Sequence, residues 1–127
     1  MRNFIISIVC LTLLTGIWAV FYSYSNKTLH LYIDQIETSI IKNVETENWD
    51  KASDSFDALS ENWHHYKKRA AFFMDTMAIN DTDYSFARAK YYIRAKDVSN
   101  ASGELSCLKE QLTFLHKNET VALENIL

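Results

Sequence analysis

The chain has 127 residues, a formal net charge of −3, two glycines and no proline; that length suits one domain, and so few turn residues argue against hairpin sheets. Beyond Arg2 it carries 12 Lys and Arg against 16 Asp and Glu, a mildly acidic balance that argues against a nucleic-acid partner, which needs a concentrated basic face. Two cysteines make no disulfide framework.

The first predicted element is the apolar run "FIISIVCLTLLTGIWAVF", Phe4 to Phe21, inside a stretch from Asn3 to Asn26 with no charged residue. It is long enough to cross the hydrocarbon of a bilayer as a helix, which takes about 20 residues. Its eleven Leu, Ile, Val and Phe side chains would together favour insertion by about 3 to 7 kcal/mol. Trp18, Tyr22 and Tyr24 gather at the far end, where amphipathic rings sit well at headgroup level. A cleaved secretory signal is the competing reading. It fits less well, because Ser23-Tyr24-Ser25 is a poor cleavage site and the run exceeds the usual signal core. Arg2 and the amino terminus precede the run, and a net acidic stretch follows it. The positive-inside tendency therefore predicts a single-pass plasma-membrane protein with a cytoplasmic N-terminus and an extracytoplasmic C-terminal domain. The expected division is an anchor over residues 1–25 and a helical domain over residues 26–127.

In the outer domain, apolar residues at Leu29, Ile33, Ile36, Ile40 and Val44 predict a first helix that can continue straight out of the anchor, since "YSNKT" holds no strong breaker. A second helix follows from "NWDKASDSFDALSENWHHY". Trp49, Ala52, Phe56, Leu59, Trp63, Tyr66, Ala70, Phe73 and Met77 step by three and four residues, a heptad seam predicting one buried face on a helix of some 30 residues, about 45 Å long. Capping residues in "ETEN", "NDTD" and "KD" predict the breaks, placing a third helix at about Asp83 to Lys96 and a fourth after Asp97. A faint repeat at an offset of 49 sets Trp49, Ala52, Phe56, Leu59 and Trp63 against Val98, Ala101, Leu105, Leu108 and Leu112. True duplication and shared heptad patterning both account for it. The predicted fold class is all-α: an N-terminal transmembrane helix followed by an antiparallel bundle of about four helices.

Few residues offer chemistry. Asp57, Glu61 and His65 follow one another at four-residue steps, so one turn can pair Glu61 with His65, yet two ligands fall short of a metal site. The adjacent His64 points elsewhere, and a solvated polar face is the simpler account. "YKKR", Tyr66 to Arg69, with Arg88, Lys90, Arg94 and Lys96, is either a patch for anionic headgroups or an ordinary charged face. Cys107 reads as a small apolar residue packed in a helix, with an intermolecular bridge as the alternative. Sequons start at Asn26, Asn80, Asn100 and Asn118 and matter only in a eukaryotic secretory pathway. With no phosphate loop, activated nucleophile or zinc-protease helix, the expectation is no enzymatic activity and no cofactor.

The order and spacing of "NWDKA", "ENW", "FMD", "RAKYYIRAKD", "GELSCLKEQLTFLHKNE" and the closing "LENIL" resemble the uncharacterised bacterial family numbered 4363 among domains of unknown function. The resemblance covers nearly the whole chain. It implies a small membrane-anchored helical protein of spore-forming Gram-positive bacteria, encoded beside another small membrane protein, which hints at a complex. Members often carry His after the aspartate at the position of Asp75. Here that residue is Thr76, so a role for an Asp-His pair does not carry over.

Two functions of different class follow. The first is a non-enzymatic interaction or accessory module at the outer face of the plasma membrane, bound to the bilayer through its N-terminal helix. It would hold another membrane or envelope protein through Trp63, His64, His65, Tyr91 or Tyr92. The alternative is an extracytoplasmic sensor in which His64, His65 and His116, with nearby carboxylates, take a metal or a small anion.

Overall fold

A computed structural model describes residues 1–124 of the chain, with side-chain surroundings through Asn118; the side chains of the closing "LENIL" run lie outside the described residues. Among the described residues there are four helices and no strand: α1 (Arg2–Glu45), α2 (Trp49–Ala70), α3 (Thr76–Arg94) and α4 (Val98–Glu124). Each helix packs on its neighbours in sequence, and α1 closes the ring against α4. This is the up-down arrangement that short connections impose.

No break separates the apolar run from the bundle. α1 continues through residues 25 and 26, and its side chains start to be buried at Phe21, followed by Ser25, Leu29, Tyr32, Ile36, Ile40 and Val44. These steps are mostly of four residues, and at 3.6 residues per turn each carries the inward face about 40° around the helix. The backbone relieves the drift with one wide turn over Ile36–Ile40, in which the Ile41 N–H donates to the Ile36 carbonyl. Such i→i+5 turns hold one extra residue. The sequence phase is off by one at a single point: Tyr32 is buried where Ile33 was expected, and Ile33 packs half-buried beside it.

The expected 30-residue second helix is shorter. α2 ends at Ala70, and Asp75 caps α3 by accepting from the Met77 N–H at 3.1 Å. Phe73 and Met77 therefore leave the seam, 40% and 71% exposed, and Trp49 is half-buried at its edge. Ala52, Phe56, Leu59, Trp63, Tyr66 and Ala70 are buried as the heptad requires. The third helix starts at Thr76 rather than Asp83, because "NDTD" lies inside it. Thr82 is fully buried and returns its hydroxyl to the Ala78 carbonyl at 2.8 Å, while Asp83 faces α2. Cys107 also corrects an expectation: it stands exposed on α4.

The offset of 49 residues reappears in the backbone. Glu47 and Lys96 alone among the described non-glycine residues have positive φ, 57° and 56°. The next amides, of Asn48 and Asp97, reach back five residues to Asn43 and Tyr92 at 2.8 and 3.1 Å. This is the bonding of a helix ended by a left-handed residue. Beyond both corners the buried positions correspond, Ala52 with Ala101, Phe56 with Leu105, Leu59 with Leu108, Trp63 with Leu112 and Tyr66 with Leu115. The bundle is thus two similar helical hairpins packed together. They differ at the cap: Asp97 accepts from the Asn100 backbone and side chain, which hold its carboxyl below the usual carboxylate range, whereas Asn48 makes no side-chain cap bond.

Candidate functional site

The first twenty residues of α1 form a rod with almost no protein around it. Phe4, Leu11, Leu14 and Val20 are 68%, 67%, 66% and 72% exposed, and only 6% of the most apolar window is buried. The core helix of a water-soluble fold hides such a face. This helix is long and apolar enough to cross a membrane.

Where the rod enters the bundle, aromatic rings form a collar. Trp18 stacks on Tyr22 one turn along, with centroids 5.8 Å apart, and Phe21 stacks on Phe73 at 4.1 Å. Arg69 donates to the Tyr24 hydroxyl at 3.2 Å, with its guanidinium 5.5 Å from the centre of that ring. The three residues expected at headgroup level, Trp18, Tyr22 and Tyr24, lie together at this junction. The α2–α3 connection, residues 71–75, reaches the same level and carries Phe72, 86% exposed. Ile17, Val20 and Tyr24 of α1 and Phe72 and Phe73 of the connection line an apolar groove, with Lys68 and Arg69 at its edge.

Behind the collar lies Tyr66, fully buried. Its hydroxyl shares a hydrogen bond with the buried Ser25 hydroxyl and lies 3.6 Å from the Met74 sulfur. Tyr32 meets its ring edge-on at 6.1 Å, and burial pushes the Tyr32 phenol up to about 12. On the other side, Trp63 stacks on Phe86 at 5.5 Å and donates its indole N–H to Asp83 at 2.7 Å. The second Asp83 oxygen takes Lys67 at 2.8 Å. Phe56, Trp63 and Tyr66 of the heptad are therefore core. Trp63, 2% exposed, cannot serve as a surface anchor as the sequence suggested, since its polar atom is already paired inside the bundle.

The other predicted surface residues divide between helices. His64 and His65 are exposed on α2 with centroids 6.3 Å apart, whereas Tyr91 is 67% exposed on α3 and Tyr92 packs half-buried against the core. His116 is half-buried on α4 near His30, and burial, then that second imidazole, lowers its pKa. Among the described residues no three His, Cys, Asp or Glu side chains come together as a metal would need. The basic patch is dispersed too: Lys67 pairs with Asp83, Arg88 with Glu104 at 2.9 Å and Lys90 with Asp57 at 3.3 Å. A cleft of about 150 Å³ lies between Trp18, Tyr22, Asp75 and Leu115, and the open apolar groove at the collar is larger, about 430 Å³.

Sequence reasoning missed a stripe on α3. Met77, Tyr84 and Tyr91, seven residues apart, are 71%, 63% and 67% exposed. Their spacing was visible, but the early helix start that places all three on one helix was not.

Residues 18–126 match the model of a domain of unknown function (DUF4363). No curated protein and no solved structure matches the chain significantly.

Proposed function

Because the chain belongs to the DUF4363 family, whose description assigns no activity, we propose from its geometry that it is a non-enzymatic accessory module, held at the outer face of the plasma membrane by the apolar half of α1. The observation that carries this reading is the continuity of α1: an apolar, unburied rod becomes one wall of a well-packed bundle without a break. Arg2 before the rod and the acidic balance after it support a cytoplasmic N-terminus. The bundle presents Met77, Tyr84 and Tyr91 to another membrane or envelope protein. A helix laid against that stripe would read it at heptad spacing, with the two rings as anchors.

The test uses the full-length chain recovered from native membranes in mild detergent, alongside a Tyr84→Ser, Tyr91→Ser variant whose helicity is checked by circular dichroism. Retention in the membrane after alkaline washing, with one specific partner captured by the native chain and lost from the variant, is the expected result. Release by the wash overturns the anchor. Equal capture by both chains overturns the stripe.

A further inference from the structure

We infer that the α2–α3 connection is a second, non-spanning membrane contact, in which Phe72 enters the acyl region of an anionic bilayer beside α1 while Lys68 and Arg69 meet the lipid phosphates. The inference rests on the anchored reading above and adds the face on which the bundle lies down.

Depth is the first argument. Twenty helical residues from Phe4 reach about 30 Å, the thickness of the hydrocarbon, so its edge falls near Ser23. The groove places Phe72 beside Ile17 and Val20, which at 1.5 Å per residue lie about 5 to 9 Å inside that edge. A ring that is 86% exposed in the isolated chain is thereby taken out of water with no change of fold. The groove is continuous with the bare apolar surface of α1, so one lipid phase covers both.

Charge and backbone agree. Lys67, Lys68 and Arg69 form the last turn of α2. Lys67 is held by Asp83, but Lys68 is exposed at the groove edge and Arg69 sits on Tyr24, one turn nearer water than Val20 and thus at headgroup level. Basic side chains there are drawn to anionic lipid. Backbone entering the hydrocarbon must also satisfy its own polar groups. Four of the connection's amides are met internally: those of Ala71, Phe72, Phe73 and Met74 donate to Lys67, Arg69, Ala70 and Ala70 at 2.9, 3.4, 2.9 and 2.8 Å.

The test is made on the full chain in vesicles of phosphatidylcholine, with and without phosphatidylglycerol. A nitroxide is placed by Phe72→Cys, by Leu11→Cys or by Ala58→Cys in a Cys10→Ser, Cys107→Ser background. Collisions with oxygen, which concentrates in lipid, are compared with those of a water-soluble nickel chelate. The expected result is oxygen preference at positions 11 and 72 and nickel preference at 58. Adding Lys68→Glu should shift position 72 toward nickel in the anionic vesicles alone. Nickel preference at 72 with oxygen preference at 11 overturns this inference and leaves the anchor standing. Shielding of 72 from both reagents also overturns it, because a second copy of the chain then covers the turn. Nickel preference at 11 removes the anchor, and the inference with it.

Discussion

Ser25 and Tyr66 are both fully buried and hydrogen-bonded to each other, and since the Tyr66 hydroxyl also reaches the Met74 sulfur, it is the Ser25 hydroxyl that loses its partner when Tyr66 is changed to Phe. Removing one partner of such a pair costs about 1–3 kcal/mol because the remaining group loses water and gains nothing. Tyr66→Phe should therefore lower the unfolding free energy by about that amount, and Ser25→Ala, Tyr66→Phe together should cost less than the sum of the two single changes. Denaturant melts of the four proteins in one detergent check it; full additivity would mean that the hydroxyls do not act as a pair. His116 sets a pH dependence. Burial, then His30, lowers its folded pKa, so on acidification the unfolded chain takes up this proton first. Stability is then fully present above the ordinary histidine value near 6.5 and is lost as pH falls below it. The melting temperature should drop between about pH 7.5 and 5, and His116→Gln should flatten the drop.

At the scale of elements, the two left-handed corners invite a direct test. Glu47 and Lys96 hold φ values of 57° and 56°, where a Cβ is strained and glycine is not. Glu47→Gly and Lys96→Gly should each raise stability by about 0.5–1 kcal/mol, read from the midpoint of a urea melt. Equal and opposite losses would mean that these side chains make contacts worth more than the strain. Helices α1 and α4 and the core face of α2 were legible because their apolar spacing is carried by Leu, Ile and large rings. The start of α3 was not, for a local reason. Its inward positions Ile79, Thr82, Phe86, Ala89 and Ile93 keep heptad steps, but Thr82 is polar and buried, so the apolar phase in the sequence begins only after it. Asp75, the true cap, was hidden by Phe73 and Met77, which extended the α2 pattern by chance. The surface site was harder still. Whether Trp63, Tyr84 or Tyr91 faces outward depends on which helix neighbours which, and spacing along one strand of sequence does not contain that.

For the whole molecule, the corresponding corners and buried positions at an offset of 49 join the first and second halves into two like hairpins, one of which has a longer first arm. That arm is α1, 44 residues in one helix. Neither proline nor a second glycine interrupts it after Gly16, and the collar clamps it to α2 by the Tyr24–Arg69 pair and to the α2–α3 connection by the Phe21–Phe73 stack. The twenty residues between Ser25 and Glu45 extend about 30 Å. If α1 spans a bilayer as proposed, a lean of about 10°, well within the tilt range of spanning helices, swings the outer end of the bundle sideways by about 5 Å. On the proposed anchoring the chain is a lever pivoted at the lipid surface, its one wide turn at Ile36–Ile40 held inside the packed bundle, and a change in membrane thickness is felt at its outer tip as displacement.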